Sequence, residues 1–215
     1  MSIDNYNIED YLPALTPGRK VLIGFTGGLK STLLAVLAVN HYGANNVRLG
    51  HFQTLAEVDE KRAVENTMFR NNLASKLKLP APVAVSFSSF VGDRANPITP
   101  YVVQIINSID PSIEHVLFGC DKNTLGYALQ LGTAAFAVEN RDKTVNPIDV
   151  ATMINITRNP FETLDYSDVV KLYLKHNIQP VVYMTHTDTT RAITLRKEAI
   201  LAAGIIDDTP YNTPA

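Results

Sequence analysis

The chain has 215 residues, of which 46% are hydrophobic and 19% are charged, and this size and apolar content fit a single globular domain covering residues 1–215. A formal net charge of −2, with lysine and arginine scattered along the chain, argues against binding to duplex nucleic acid. The apolar runs are too short to span a membrane, the polar N-terminus is unlike a signal peptide, and the single Cys120 excludes a multi-cysteine zinc site. We therefore expect a cytoplasmic protein without zinc.

Short apolar runs rich in β-branched or aromatic residues alternate with segments of helical length. Because apolar residues are continuous within the runs, each run is typical of a strand that is buried on both faces. The alternation predicts an α/β fold, a Rossmann-like parallel five-stranded sheet with helices on both faces. The predicted strands cover residues 20–25, 46–52, 82–87, 115–120 and 180–184.

Four helices are predicted between and after these strands. The first follows a glycine pair and ends where Gly43 can adopt a left-handed conformation. The second covers residues 57–77, with an apolar face at helical spacing. The third runs from Tyr166 to His176 with Asp165 or Ser167 as its cap, and the last begins near Thr187 or Asp188 and ends at Gly204.

The stretch "GFTGGLKST", residues 24–32, joins the first predicted strand to the first predicted helix. A glycine pair at this junction lets an anion approach the backbone N–H groups at the helix N-terminus, where the helix dipole stabilises negative charge. Hydroxyl groups and one lysine can add hydrogen bonds and charge. A tight turn without a ligand is the alternative, but the pattern favours a phosphate site. Its residues are Thr26, Gly27, Gly28, Lys30, Ser31 and Thr32.

The turn resembles two known phosphate-binding loops. The Walker A loop, GxxxxGK[ST], matches Gly24, Lys30 and Ser31 in spacing, but Leu29 replaces the glycine before the lysine. No convincing Walker B aspartate follows, because Asp110 precedes a proline and belongs to a turn. The PP-loop of the ATP pyrophosphatases, SGGxDS, resembles "TGGLKS" at residues 26–31, with Lys30 in place of the aspartate.

The C-terminal segment "LRKEAILAAGIIDDTPY", residues 195–211, resembles the closing helix and tail of the 7-cyano-7-deazaguanine synthases, which are PP-loop enzymes. Three further segments resemble segments of that family more weakly and follow one another in the family's order. They are "DRAN" at 93–96, "GCDKNTLGY" at 119–127 and residues 159–178. The resemblance implies an adenine nucleotide alpha hydrolase-like fold. It also implies ATP-dependent adenylation of a deazapurine carboxylate, followed by conversion to an amide and a nitrile.

The chain departs from that family at several positions. Thr187, Thr190 and Ile193 stand where the family has a cluster of zinc-binding cysteines, and Tyr166 stands where it has a lysine. What the resemblance still implies is ATP as a cofactor, Mg²⁺ as a further candidate, no zinc, and a small deazapurine-like substrate. Membrane binding is not implied, and a homodimer stays open.

The resemblance makes Lys30 and Ser31 candidate catalytic residues. His51 joins the nucleotide site because it lies at the predicted C-terminal end of the second strand, where ligands bind in open α/β sheets. Two alternatives remain: a catalytically impaired relative that acts as a nucleotide-binding or interaction module, and a P-loop kinase-like NTPase. The candidate nucleotide-binding residues are Gly24, Thr26, Gly27, Gly28, Lys30, Ser31, Thr32 and His51, and the candidate substrate-binding residues are Arg94, Asn96, Gly126 and Tyr127.

Overall fold

The computed structural model describes residues 3–54, 60–87, 110–122, 157–178 and 190–206. In this part of the chain a single parallel sheet has the strand order β3-β2-β1-β4-β5. The sheet is flanked by helices, so the predicted α/β class is confirmed. The strands are β1 Lys20–Gly24, β2 Val47–Thr54, β3 Val83–Phe87, β4 Ile113–Leu117 and the two-residue β5 Thr157–Arg158.

Four of the predicted strands coincide with β1 to β4. The short β5 lies in a segment for which no strand was predicted, and the predicted strand at 180–184 lies outside the described residues. In β1, Val21, Leu22 and Ile23 are fully buried, as continuous apolarity predicts for a strand covered on both faces.

The described helices are α1 Leu29–Tyr42, α2 Glu60–Lys76, α3 Tyr166–Lys175 and α4 Thr190–Ala202. Helix α1 ends as predicted, because Gly43 has a φ of 80° and its N–H donates to the Val39 carbonyl. Asp165 occupies the N-cap position of α3, but its side chain makes no capping hydrogen bond. Its carboxylate instead lies 2.7 Å from the Lys122 ammonium, so an ion pair takes the place of the predicted cap.

The strand order places a topological switch between β1 and β4. The chain builds the sheet outwards from β1 through β2 to β3, and then returns to the other side of β1 to add β4 and β5. In open α/β sheets, ligands bind outside the carboxyl ends of the strands at such a switch. The turn after β1 and the segment after β4 are therefore the two walls of the expected crevice.

Helix α3 packs against both α1 and α4. The buried Tyr173 of α3 donates a hydrogen bond of 2.6 Å to the carbonyl of Leu29, the first residue of α1. At the other end of α3, the Lys175 ammonium donates to the carbonyls of Ile3, Asp4 and Tyr6. The Tyr173 bond therefore ties the start of α1 to α3, and the Lys175 bonds tie the end of α3 to the N-terminal segment.

Candidate functional site

The candidate site begins with a short turn between β1 and α1. Strand β1 ends at Gly24, Gly28 is the N-cap of α1, and the first helical hydrogen bond runs 2.9 Å from the Thr32 N–H to the Gly28 carbonyl. The N–H groups of Leu29, Lys30 and Ser31 precede that bond and have no partner within the helix. The turn therefore presents donors and the positive end of a helix dipole, as the sequence predicts.

The glycine pair serves two different purposes. Gly27 has a φ of +82°, and a Cβ there would lie 2.8 Å from a ring carbon of Phe69 in α2, so the fold itself requires glycine. Gly28 has an extended backbone, with φ −74° and ψ 165°. Among the described residues, a Cβ at Gly28 would meet only the Thr26 hydroxyl oxygen, at 3.4 Å. The open space at Gly28 is thus not explained by packing within the described structure.

The hydroxyl groups of Thr26 and Ser31 hold the turn in shape. Their oxygens lie 2.9 Å apart, and the Ser31 hydroxyl also accepts from the Thr26 N–H and donates to the Gly28 carbonyl, each at 3.2 Å. Ser31 is buried, whereas Thr26 is exposed. Ser31 therefore positions the backbone, and the catalytic role predicted for it stays a prediction.

Gly24 and Thr32 lie at the margins of the turn. A Cβ on Gly24 would lie 2.6 Å from the ring of Phe118, so close packing accounts for this glycine. Thr32 is 1% exposed, and its hydroxyl oxygen has no hydrogen-bond partner within the described residues. Gly24 belongs to β1, and packing against Phe118 explains why it is glycine. It therefore gives no support to the Walker A interpretation, in which Gly24 would be the first glycine of a phosphate-binding loop.

Lys30 pairs with a residue that the sequence analysis did not identify. Its ammonium lies 2.8 Å from a carboxylate oxygen of Asp121, whose side chain is 2% exposed. The same ammonium lies 4.9 Å from the centre of the Tyr166 ring, within cation–π range. Asp121 follows β4 by four residues, and only its position beyond a predicted strand could have suggested a role.

Gly119 brings the segment after β4 against the first turn of α1. A Cβ at Gly119 would lie 2.9 Å from the Lys30 carbonyl carbon and 3.1 Å from the Ser31 nitrogen. Only glycine allows the two backbones to approach this closely. The contact places Asp121, two residues later, beside the Lys30 side chain.

His51 and Arg70 lie on the α2 side of the turn. His51 is within β2, and its Nδ1 is buried without a hydrogen-bond partner among the described residues. Burial, with a smaller contribution from Arg70, lowers the pKa of His51 to about 4, so its imidazole is neutral near pH 7. Arg70 is 4% exposed, and its Cγ lies 3.2 Å from where a Gly27 Cβ would be. The stem of a buried arginine therefore flanks the glycine turn.

The remaining predicted site residues cannot be placed. Arg94, Asn96, Gly126 and Tyr127 lie outside the described residues. Within the described ranges, no group of three or more histidine, cysteine, aspartate or glutamate side chains is arranged to hold a metal ion. None of the described helices combines the length and apolarity needed to cross a bilayer.

The arrangement brings backbone N–H donors and the Lys30 ammonium, which is paired with Asp121, to the carboxyl edge of the sheet. The turn, the start of α1, and the Lys30–Asp121 pair meet at the switch between β1 and β4. This geometry can bind an anion through backbone N–H groups and one ammonium.

Comparison with known proteins gives a distant structural likeness. No protein-family model matches the sequence, and no curated protein matches it at the significance threshold applied. Solved structures do match, and one is the U34-tRNA thiolase NcsA from Methanococcus maripaludis with its [4Fe-4S] cluster. That match has 16% sequence identity and a TM-score of 0.46, and covers 89% of this chain and 67% of the thiolase. A likeness of this degree assigns no substrate, cofactor or cluster to this chain.

Proposed function

We propose that the chain binds ATP with its phosphates on the glycine turn and uses it to adenylate the carboxylate of a small deazapurine-like substrate. One observation carries the proposal. The turn after β1 and the Lys30–Asp121 pair after β4 meet at the topological switch of the sheet, which is the usual ligand position in open α/β folds. The turn resembles a PP-loop, and the C-terminal segment resembles that of the 7-cyano-7-deazaguanine synthases. These two similarities support the proposed reaction, ATP-dependent adenylation of a carboxylate.

In this proposal a substrate carboxylate oxygen attacks the α-phosphorus of ATP, the bond from that phosphorus to the bridging oxygen breaks, and pyrophosphate leaves. The N–H groups at the start of α1 and the Lys30 ammonium stabilise the charge on the phosphates. Ammonia then displaces AMP to give an amide. A second ATP then adenylates the amide oxygen with release of pyrophosphate, and loss of AMP and of the two N–H protons gives the nitrile.

The Lys30–Tyr166 contact favours retention of a positive charge in the site. The resemblance places a family lysine at position 166, where this chain has tyrosine, and Lys30 lies over that tyrosine ring. A lysine is thus present in the same neighbourhood but is supplied from α1. This observation favours an ATP site with rearranged charges over an arbitrary substitution in the turn.

A second candidate function is a nucleotide-binding or interaction module without catalysis. It is favoured by Lys30 itself, because an ammonium stands where the PP-loop motif has a carboxylate. The kinase-like alternative is less well supported. Gly24 is explained by packing against Phe118, and Asp110 lies before β4, at the opposite edge of the sheet from the turn.

Binding is tested by titrating the protein with ATP in a calorimeter, comparing the parent with Gly28→Val. The extended backbone at Gly28 accepts valine, and its side chain would fill the open space of the turn. We expect Gly28→Val to remain folded and to lose ATP binding. The exposed Asn40 at the far end of α1 provides a control, Asn40→Ala, which should bind like the parent. Equal affinity in folded Gly28→Val would place the nucleotide elsewhere.

Catalysis is tested by pyrophosphate release with ATP, ammonia and 7-carboxy-7-deazaguanine. Removing one charge-stabilising donor typically slows a reaction by about 10²- to 10³-fold, so Lys30→Ala should lose most turnover. Lys30→Asp restores the residue of the PP-loop motif and should lower the activity if Lys30 supplies the charge. A parent protein that binds ATP but releases no pyrophosphate would support the non-catalytic module instead.

A further inference from the structure

We infer that Asp121 is a positioning residue that holds the Lys30 ammonium as a fixed cation, and that this pair takes the place of Mg²⁺ in binding the ATP phosphates. The inference rests on the proposed function, because it concerns how the same site neutralises phosphate charge. It assigns Asp121 to the proposed ATP site and predicts that ATP binding does not depend on Mg²⁺.

The first observation is the unequal burial of the two partners. Asp121 is 2% exposed, whereas the Lys30 side chain is 22% exposed, and their charged atoms lie 2.8 Å apart. The carboxylate is therefore enclosed in the protein while part of the lysine reaches solvent. In such a pair the carboxylate acts as the anchor, and an ammonium, with three N–H donors, can also face a ligand.

The second observation is that Lys30 occupies an electrostatically unfavourable position. It lies in the first turn of α1, which contains no acidic residue, at the end of the helix that the dipole makes positive. Without a counter-charge, a lysine there would be repelled. Asp121 supplies that counter-charge from the segment after β4, and the Gly119 contact with the Lys30 carbonyl fixes where this segment lies.

The third observation concerns the fit of a metal ion. Magnesium requires oxygen ligands in near-octahedral geometry and usually uses one or two carboxylates together with substrate phosphates. The Asp121 carboxylate already faces the Lys30 ammonium, and this ammonium would repel a second cation at the same carboxylate. With Lys30 present, Mg²⁺ therefore does not fit beside Asp121.

Removing the ammonium should reverse this situation. A buried carboxylate that loses its cationic partner is left with an uncompensated charge, which a Mg²⁺ carried by the ATP phosphates can neutralise. Lys30→Met keeps the apolar stem beside Tyr166 but removes the charge, so the Asp121 carboxylate becomes available to Mg²⁺ bound with ATP. An ion pair remote from the ATP phosphates would not make ATP binding depend on Mg²⁺ when it is broken.

The test measures the ATP dissociation constant by calorimetry in EDTA and in excess Mg²⁺. The value in EDTA is then divided by the value in Mg²⁺. The proteins are the parent, Lys30→Met, Asp121→Asn and the double variant, each checked for folding by circular dichroism. Lys20→Met is a matched control, because it breaks another Lys–Asp pair of 2.8 Å, with Asp110, at the opposite edge of the sheet.

We expect a ratio near one for the parent and for Lys20→Met. Lys30→Met should bind ATP about tenfold or more tightly in Mg²⁺ than in EDTA, and the double variant should lose that preference. Asp121→Asn alone should weaken ATP binding by about tenfold in EDTA, because the ammonium is no longer held.

A parent protein that binds ATP only with Mg²⁺ would overturn the inference while leaving the proposed nucleotide site intact. The inference would also fail if the metal preference did not appear in folded Lys30→Met, or if it persisted in the double variant. If Lys30→Met does not fold, unaltered EDTA binding by folded Asp121→Asn would overturn the inference, and the expected weakening would support it. A parent that binds no ATP in either condition would refute the proposed function and this inference together.

Discussion

At the scale of single residues, the adjacent glycines of the turn differ in what the fold requires of them. Gly27 adopts a φ of +82° and contacts Phe69 and Arg70 so closely that a side chain has no room. Gly28 has a backbone that any residue can adopt. A substitution at Gly27 therefore disturbs the folded state, whereas one at Gly28 would act on the ATP that we propose to bind at the turn.

We expect Gly27→Ala to lower the free energy of unfolding by about 2 kcal/mol or more, because it combines a left-handed conformation with a contact of 2.8 Å to Phe69. Gly28→Ala should change the free energy of unfolding by no more than about 1 kcal/mol, because alanine restricts the unfolded chain but is a poorer N-cap than glycine. Urea denaturation of both variants checks this difference. Equal losses of stability would show that the turn has another conformation.

At the scale of secondary-structure elements, α3 supports the start of α1. The hydroxyl of Tyr173 donates to the Leu29 carbonyl from a fully buried position. Burial is the main cause that raises the pKa of Tyr173 above its usual value, so the hydroxyl remains a donor well into the alkaline range. The position of α1, and with it the candidate phosphate site, therefore depends on α3.

Tyr173→Phe should lower the free energy of unfolding by about 1–2 kcal/mol, because a buried carbonyl loses its donor, and should also weaken ATP binding. Tyr42→Phe is a suitable comparison. The Tyr42 hydroxyl makes a bond of the same length, 2.6 Å, to the Pro13 carbonyl, but at the opposite end of α1. Thermal denaturation should show a lower melting temperature for both variants. Calorimetry should show weaker ATP binding for Tyr173→Phe alone. Unchanged ATP binding by Tyr173→Phe would mean that α1 is held without this bond.

At the scale of the whole molecule, the two edges of the sheet have different tasks. The carboxyl edge carries the glycine turn and the Lys30–Asp121 pair. At the amino edge, Asp110 accepts hydrogen bonds from Lys20, Arg48 and Ser112, which ties the start of β1 to β2 and to the turn before β4. These bonds serve stability and lie far along the strands from the candidate site.

Asp110→Asn should lower the free energy of unfolding by about 1–3 kcal/mol near pH 7 and leave ATP affinity unchanged. The Lys20 hydrogen bond, followed by that from Ser112, holds the pKa of Asp110 well below its usual range. A carboxyl with a depressed folded-state pKa stabilises the fold above its unfolded pKa, about 4, and this stabilisation is lost as the pH falls further. Urea denaturation from pH 7 to pH 3 should therefore show a smaller acid sensitivity in the variant. A weaker ATP affinity would contradict the separation of the two edges.

The sequence alone determined the features that depend on neighbouring residues. Continuous apolar runs predicted four of the strands, and the glycine pair and Gly43 predicted where α1 begins and ends. Turn chemistry and hydrophobic periodicity act over a few residues, so they can be read directly from the chain. The candidate phosphate turn was found in the same way.

Only the tertiary structure decided which distant residues meet. The strand order brings the end of β4 beside the turn after β1, and this places Asp121 against Lys30 across 91 positions of sequence. The burial of Ser31, the neutral imidazole of His51, and the packing role of Gly24 likewise depend on residues from other elements. Long-range pairing and burial follow from how the whole sheet assembles, and no local pattern in the sequence specifies that assembly.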